Sequence, residues 1–299
     1  GFHVNLVVVT ALASVISPGS ITIFNYANDI QYFPIGLIGV SFALASFPAL
    51  SRFFAEKDTA RFRDTFSLAF RQIVFFVVPI ASLIFLLRAQ IIRLVYGTGT
   101  EFLWDDTRLT AAALGIFAFG VLFQAFIPFL ARVFFAVQDT KTPTIISLGA
   151  VALNVVLAAL FMKVLTLHPA IGIFQSALKL QGIEDIRVLA LPLALVIAGI
   201  VQALLLLVFL RVHVEGALTR KLLYSLGKTG VASLALAVSA YGILQVYGGT
   251  FELRTYLEVF GQMVLASFGG VLAFVIVAFL IRSSEMIYFW RALKEKIHG

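Results

Sequence analysis

The residues best placed to do chemistry lie in one apolar stretch. Asn25, Asn28, Asp29 and Tyr32 recur at i, i+3, i+4 and i+7 and share one face of a helix. Amides, a carboxylate and a phenol in that order bind polar groups or ions rather than break bonds. Asp29 lies nine residues past Ser20, ~13 Å along a helix axis, so the stripe is expected to face a watery cavity, a neighbouring donor or a bound ion. No cofactor is expected, beyond a coupling cation of unknown identity that Asp29 could bind. Arg132 is a second pathway candidate, although its closeness to a turn also suits snorkelling. Arg88 and Arg93 read as snorkelling residues at a span end. Gln124, Asn154, Gln202 and Gln262 are isolated amides whose ordinary role is to join helices.

Bond-making chemistry finds no footing. Cys is absent, which excludes disulfides, thiol nucleophiles and Cys-based metal sites. His3, His168, His213 and His298 are too scattered for a metal centre. There is no buried carboxylate pair, no Ser/His/Asp set and no phosphate-cradling Gly loop, so the chain reads as a non-enzyme.

The elements that must carry these residues follow from composition. Of 299 residues, 61% are hydrophobic and 12% charged, about half the charge of an average soluble domain. An all-α integral membrane protein is expected. No stretch alternates with period two as a barrel strand would, and lipid leaves backbone groups without outside partners. Eight spans are expected, at about 2–16, 21–50, 72–96, 107–137, 143–165, 188–210, 222–247 and 257–281, forming one transmembrane domain over 1–299. Val4–Ile16 is only 13 residues long and residue 1 is Gly. A crossing needs roughly 20 residues, so we expect a fragment of a longer protein.

Charge orients the spans. Fifteen of the 22 Lys and Arg fall in 51–72, 131–142, 211–228 and 282–299, which places that side and both ends in the cytoplasm. The net charge of +7 therefore marks loops at a membrane surface, not a nucleic-acid partner. Two segments, 53–71 and 284–298, carry apolar stripes flanked by cations and read as amphipathic helices in the headgroup interface.

Several motifs together have a specific likeness. Phe134-Phe135-Ala136-Val137-Gln138-Asp139-Thr140-Lys141-Thr142-Pro143 resembles the hallmark turn of the MurJ/MviN family of lipid II flippases. Asn25-Tyr26-Ala27, Phe33-Pro34-Ile35-Gly36 and Pro48-Ala49-Leu50-Ser51-Arg52 are similar to the family's eighth span. Asp106-Thr107-Arg108-Leu109-Thr110 and Ala152-Leu153-Asn154-Val155-Val156-Leu157 resemble parts of its tenth and eleventh spans. The likeness is dense to about residue 165, and beyond it only span spacing agrees.

The resemblance implies the seventh to fourteenth spans of a fourteen-span, two-lobed protein of the bacterial cytoplasmic membrane. It implies translocation of the undecaprenyl-pyrophosphate-linked peptidoglycan precursor by alternating access for cell-wall synthesis, with membrane lipids and an N-terminal lobe as partners. Many family members carry Ala-Asp-Arg where this chain has Ala27-Asn28-Asp29, so the Arg expected to attract an anionic headgroup is replaced by the opposite charge. That replacement keeps open an exporter of another lipid-linked glycan or a small cation, and a non-transporting scaffold is the remaining alternative. The turn Asp139, Thr140, Lys141, Thr142 and Pro143 reads as a family marker and a helix cap, not a substrate site.

Overall fold

A computed structural model of the chain describes residues 10–13, 16, 19–97, 104–167, 172, 175–176, 178, 180–183, 185–213, 220–250, 255–288 and 290. Among these residues there are helices and no strands, as a chain surrounded by lipid requires. α1 (Ser20–Pro34) passes into a six-residue π-helix (Ile35–Val40) and then α2 (Ser41–Ala55). α3 (Thr59–Val95), α4 (Trp104–Ala136) and α5 (Lys141–Val164) follow. A short turn at Arg187–Leu189 leads into α6 (Ala190–His213), then α7 (Arg220–Thr250) and α8 (Tyr256–Leu280).

Seven stretches among the described residues are long and apolar enough to cross a membrane, α1–π–α2 counting as one. The eighth expected span, 2–16, lies mostly outside the described residues. The other expected spans coincide with helices, and the chain is a multi-pass membrane protein.

The segment 53–71 departs from expectation. It is not a separate surface helix: α2 ends at Ala55, Asp58 caps the next helix by accepting from Arg61 N at 3.0 Å, and α3 runs unbroken to Val95. Phe62, Phe66 and Phe70 are buried, and their stripe meets protein instead of headgroups. Phe66 stacks on Phe129 at 5.5 Å and Phe70 on Phe126 at 4.2 Å. An apolar stripe has the same periodicity whether it faces acyl chains or another helix. Of 284–298, only 284–288 and 290 are described, and they are helical.

α4 is the central pillar, packed by α1, the π segment, α2, α3 and α6. Its small residues explain this, because close backbone approach drives helix association in lipid. A side chain added at Gly120 would strike Val196 of α6, and one at Gly115 would strike Arg88 of α3. α7 and α8 pair along Gly270 and Ala240 and dock on α3 through Phe75–Phe274 at 5.2 Å. α5 leans on α6 and scarcely touches α4, while Ile145, Leu148, Val156 and Leu160 face outward.

Candidate functional site

The gap left between α4 and α5 is closed by α1 and α6, giving a cavity of about 330 Å³. Its polar lining comes from four helices: Asn28 and Tyr32 of α1, Gln124 of α4, Ser147 and Asn154 of α5, and Gln202 of α6. Apolar residues complete the wall, and none of the lining residues is Asp, Glu, Lys, Arg or His.

The polar groups form two clusters. Gln124 Nε2 donates to Gln31 Oε1 at 3.3 Å, and Gln31 Nε2 donates to Asn28 Oδ1 at 2.9 Å. Gln31 is 1% exposed, so the chain of amides fastens α1 to α4. Across the cavity, Gln202 Nε2 donates to Ser147 Oγ at 3.0 Å and ties α6 to α5. Gly199 supports the first cluster, because a side chain there would press on Gln124 Cγ at 3.3 Å.

The π-helix sets where Asn28 and Tyr32 sit relative to the lower half of the span. Pro34 has no N–H to donate, which favours local reregistration of the helix. Gly39 then lies flush on α4, where an added Cβ would come within 2.6 Å of the Ala125 carbonyl oxygen. Side chains above and below this bulge are rotated relative to an uninterrupted helix.

The predicted stripe therefore divides. Asn28 and Tyr32 line the cavity, whereas Asn25 and Asp29 are not among its lining residues. Asp29 is exposed. Burial raises the pKa of the Tyr96 phenol, and the negative charge of Asp29 raises it further. Tyr96 caps the end of α3 and stacks on Tyr26 at 3.8 Å. The rod Ser20–Ala55 has 36 residues, ~54 Å of helix against ~30 Å of hydrocarbon. A rod of that length exceeds the membrane core.

Arg132 is also absent from the lining, and its guanidinium sits 5.5 Å from the Phe47 ring centroid on α2. Arg88 points back down α3, donating to Phe85 O at 2.7 Å and lying over the Phe85 ring at 4.9 Å. Asp139 Oδ1 accepts from Lys141 N at 3.1 Å and Thr142 N at 3.0 Å, so the turn 139–143 is built as a helix cap. Among the described residues, no group of three or more His, Asp or Glu could hold a metal ion.

Gln124 and Gln202 line the cavity as well as joining helices, and Asn154 lines it too, a role their isolation in sequence did not show. Gln262 only joins helices, accepting from Gln90 at 3.1 Å and donating to Leu244 O at 3.1 Å. Gln31 and Ser147 went unnoticed in the sequence. For Gln31 a signal existed, since it lies three residues after Asn28 and so shares its side of the helix.

Comparison with known proteins is decisive at the family level. The family model described as lipid II flippase MurJ matches residues 2–261. The chain belongs to the MurJ family. A Rhizobium tropici protein named "Probable lipid II flippase MurJ" is 28% identical over 298 residues, 98% of this chain and 51% of that protein. The Burkholderia cenocepacia protein named "Lipid II flippase MurJ" is 26% identical over 147 residues, 49% of this chain and 28% of that protein. A solved structure of lipid II flippase MurJ in an inward closed conformation superposes with a TM-score of 0.65 at 23% identity, covering 93% of this chain and 51% of the other. That likeness establishes the MurJ fold. The chain thus spans about half the length, or less, of these relatives, and the family is one of transporters rather than catalysts.

Proposed function

We propose that this chain forms the C-terminal lobe of a flippase that carries the undecaprenyl-pyrophosphate-linked peptidoglycan precursor across the bacterial cytoplasmic membrane. The family match over residues 2–261 carries this reading. In alternating access, two lobes rock about a shared passage that shelters the polar headgroup while the lipid tail remains in the bilayer. This chain supplies one lobe, with Asn28 and Tyr32 on the headgroup's route and Asp29 as an exposed charge beside Tyr96. The end bearing the Lys- and Arg-rich turns faces the cytoplasm. No cofactor enters the cycle, and its driving ion is read by replacing sodium with potassium in the transport assay.

Complementation tests the proposal. The protein expressed from its intact gene should restore growth and precursor translocation to a flippase-depleted bacterium. Asn28→Leu should lower translocation more than Asp29→Ala, since only Asn28 lines the cavity. Absence of rescue by the intact protein would sink the flippase reading and favour a scaffold. Export of a small cation without precursor translocation would replace the substrate.

A further inference from the structure

The cavity between α1, α4, α5 and α6 has an unusual composition for a protein whose proposed cargo carries a diphosphate. We infer that it is a subsite for an uncharged amide- or hydroxyl-bearing portion of the cargo, such as one N-acetylated sugar ring, and not for the diphosphate. This inference rests on the flippase reading and deepens it.

Charge gives the first reason. The polar side chains of the lining are Asn28, Tyr32, Gln124, Ser147, Asn154 and Gln202, with no cation among the lining residues. A phosphate is an acceptor that must be compensated when it leaves water, and a cavity walled by amides and hydrocarbon has no charge to do so. Arg132 lies against Phe47 and Arg88 against Phe85, neither of them in the lining.

Hydrogen bonding gives the second. Within the two clusters Asn28, Gln124 and Gln202 are each fixed by one neighbour, which orients the amide and leaves part of its capacity unused. Among the described residues, Asn28 Nδ2 has no acceptor, and neither Gln124 Oε1 nor Gln202 Oε1 has a donor. Unused N–H on the Asn28, Gln124 and Gln202 amides and two unmatched carbonyl oxygens, from three helices, suit a group that both donates and accepts. An acetamido group and a sugar hydroxyl do both; phosphate oxygens only accept. Volume gives the third reason. At about 330 Å³ the cavity sits at the small end of ligand pockets, roughly 300–1,000 Å³. It has room for one ring or one amide arm.

The test uses the whole gene product in lipid nanodiscs with two probes, undecaprenyl diphosphate and the same lipid bearing an N-acetylated disaccharide. Gln202→Met and Asn28→Leu keep side-chain bulk and remove the amide, and Ser147→Ala is a smaller change at the same hydrogen bond. Each should weaken binding of the glycosylated probe by about three- to tenfold, as one net hydrogen bond dictates. Binding of the bare diphosphate should stay within about twofold. If both probes weaken equally, or neither changes, the subsite is wrong although the flippase reading stands. If the variants abolish only a sodium-dependent part of binding, the amides hold a cation and the inference is overturned. Wild-type protein that binds neither probe overturns the flippase reading, and the subsite with it. Gln202→Met that fails to fold leaves the decision to Ser147→Ala.

Discussion

Glu285 accepts four hydrogen-bonding or ionic partners although its side chain is 2% exposed. Ser225 Oγ donates at 2.7 Å, Ser283 Oγ at 2.8 Å and Ser284 Oγ at 2.9 Å, and Arg71 Nη1 lies 3.3 Å away. Burial raises its pKa, but the donated hydrogen bonds from Ser225 and Ser283 outweigh it and the net shift is downward. A carboxyl whose folded pKa is depressed contributes stability that is present above its unfolded pKa and lost as pH falls through the folded one. Thermal stability at this site should therefore hold at neutral pH and decline only in acid, below the ordinary glutamate range. Glu285→Ala should cost about 3 kcal/mol, the low end for breaking a buried pair, because Arg71 remains partly exposed. A melting temperature in detergent unchanged by that substitution would remove the cluster from the fold's supports. Nothing in the sequence announced it: Arg71 and Glu285 are 214 positions apart, and serines carry no periodic signal.

At the scale of elements, three turns at one end of the bundle share a geometry. Lys57, Gln138 and Arg282 have φ of 59°, 62° and 49°, and each is followed by a residue whose N–H bonds five positions back. The bonds are Asp58 N to Phe53 O at 2.9 Å, Asp139 N to Phe134 O at 3.0 Å and Ser283 N to Ala278 O at 2.9 Å. These are Schellman caps made with non-glycine residues, each costing roughly 1 kcal/mol against glycine. Gln138→Gly should raise the melting temperature by the equivalent of about 0.5–1 kcal/mol, part of the strain being offset by glycine's unfolded-state entropy. The π segment should respond in the opposite direction. Gly39→Val places a branched side chain against the backbone at Ala125 and should destabilise by about 1–3 kcal/mol, as overpacking does. Melting curves measure both effects. Gly39 permits a backbone approach to α4 that a larger residue would block. The π register at Ile35–Val40 is not legible in the sequence, because one extra residue in a helical turn leaves an apolar sequence looking helical throughout.

In the molecule as a whole, α4 is packed by α1, the π segment, α2, α3 and α6, whereas α5 and α8 present broad outward faces. Hydrogen–deuterium exchange in nanodiscs should be slowest in the middle of α4, and uniform exchange across the bundle would contradict its place as the pillar. Length, composition and the period of apolar residues were sufficient to establish a multi-pass helical membrane protein and to locate the seven spans seen among the described residues, because hydrocarbon permits few backbone solutions. The motifs from Asn25 to Pro143 were sufficient to indicate the MurJ family, which matches residues 2–261. Partnership was not legible. The stripe Asn25–Asn28–Asp29–Tyr32 is one face in sequence, but only the packing of α4, α5 and α6 turns Asn28 and Tyr32 toward a shared cavity and leaves Asp29 exposed beside Tyr96. Likewise, Phe66 and Phe70 met α4, and Phe62 is buried against Phe54 of α2. Periodicity records that a face is apolar or polar, a property of one helix. What lies opposite that face depends on distant segments arriving there, and only the assembled bundle supplies them.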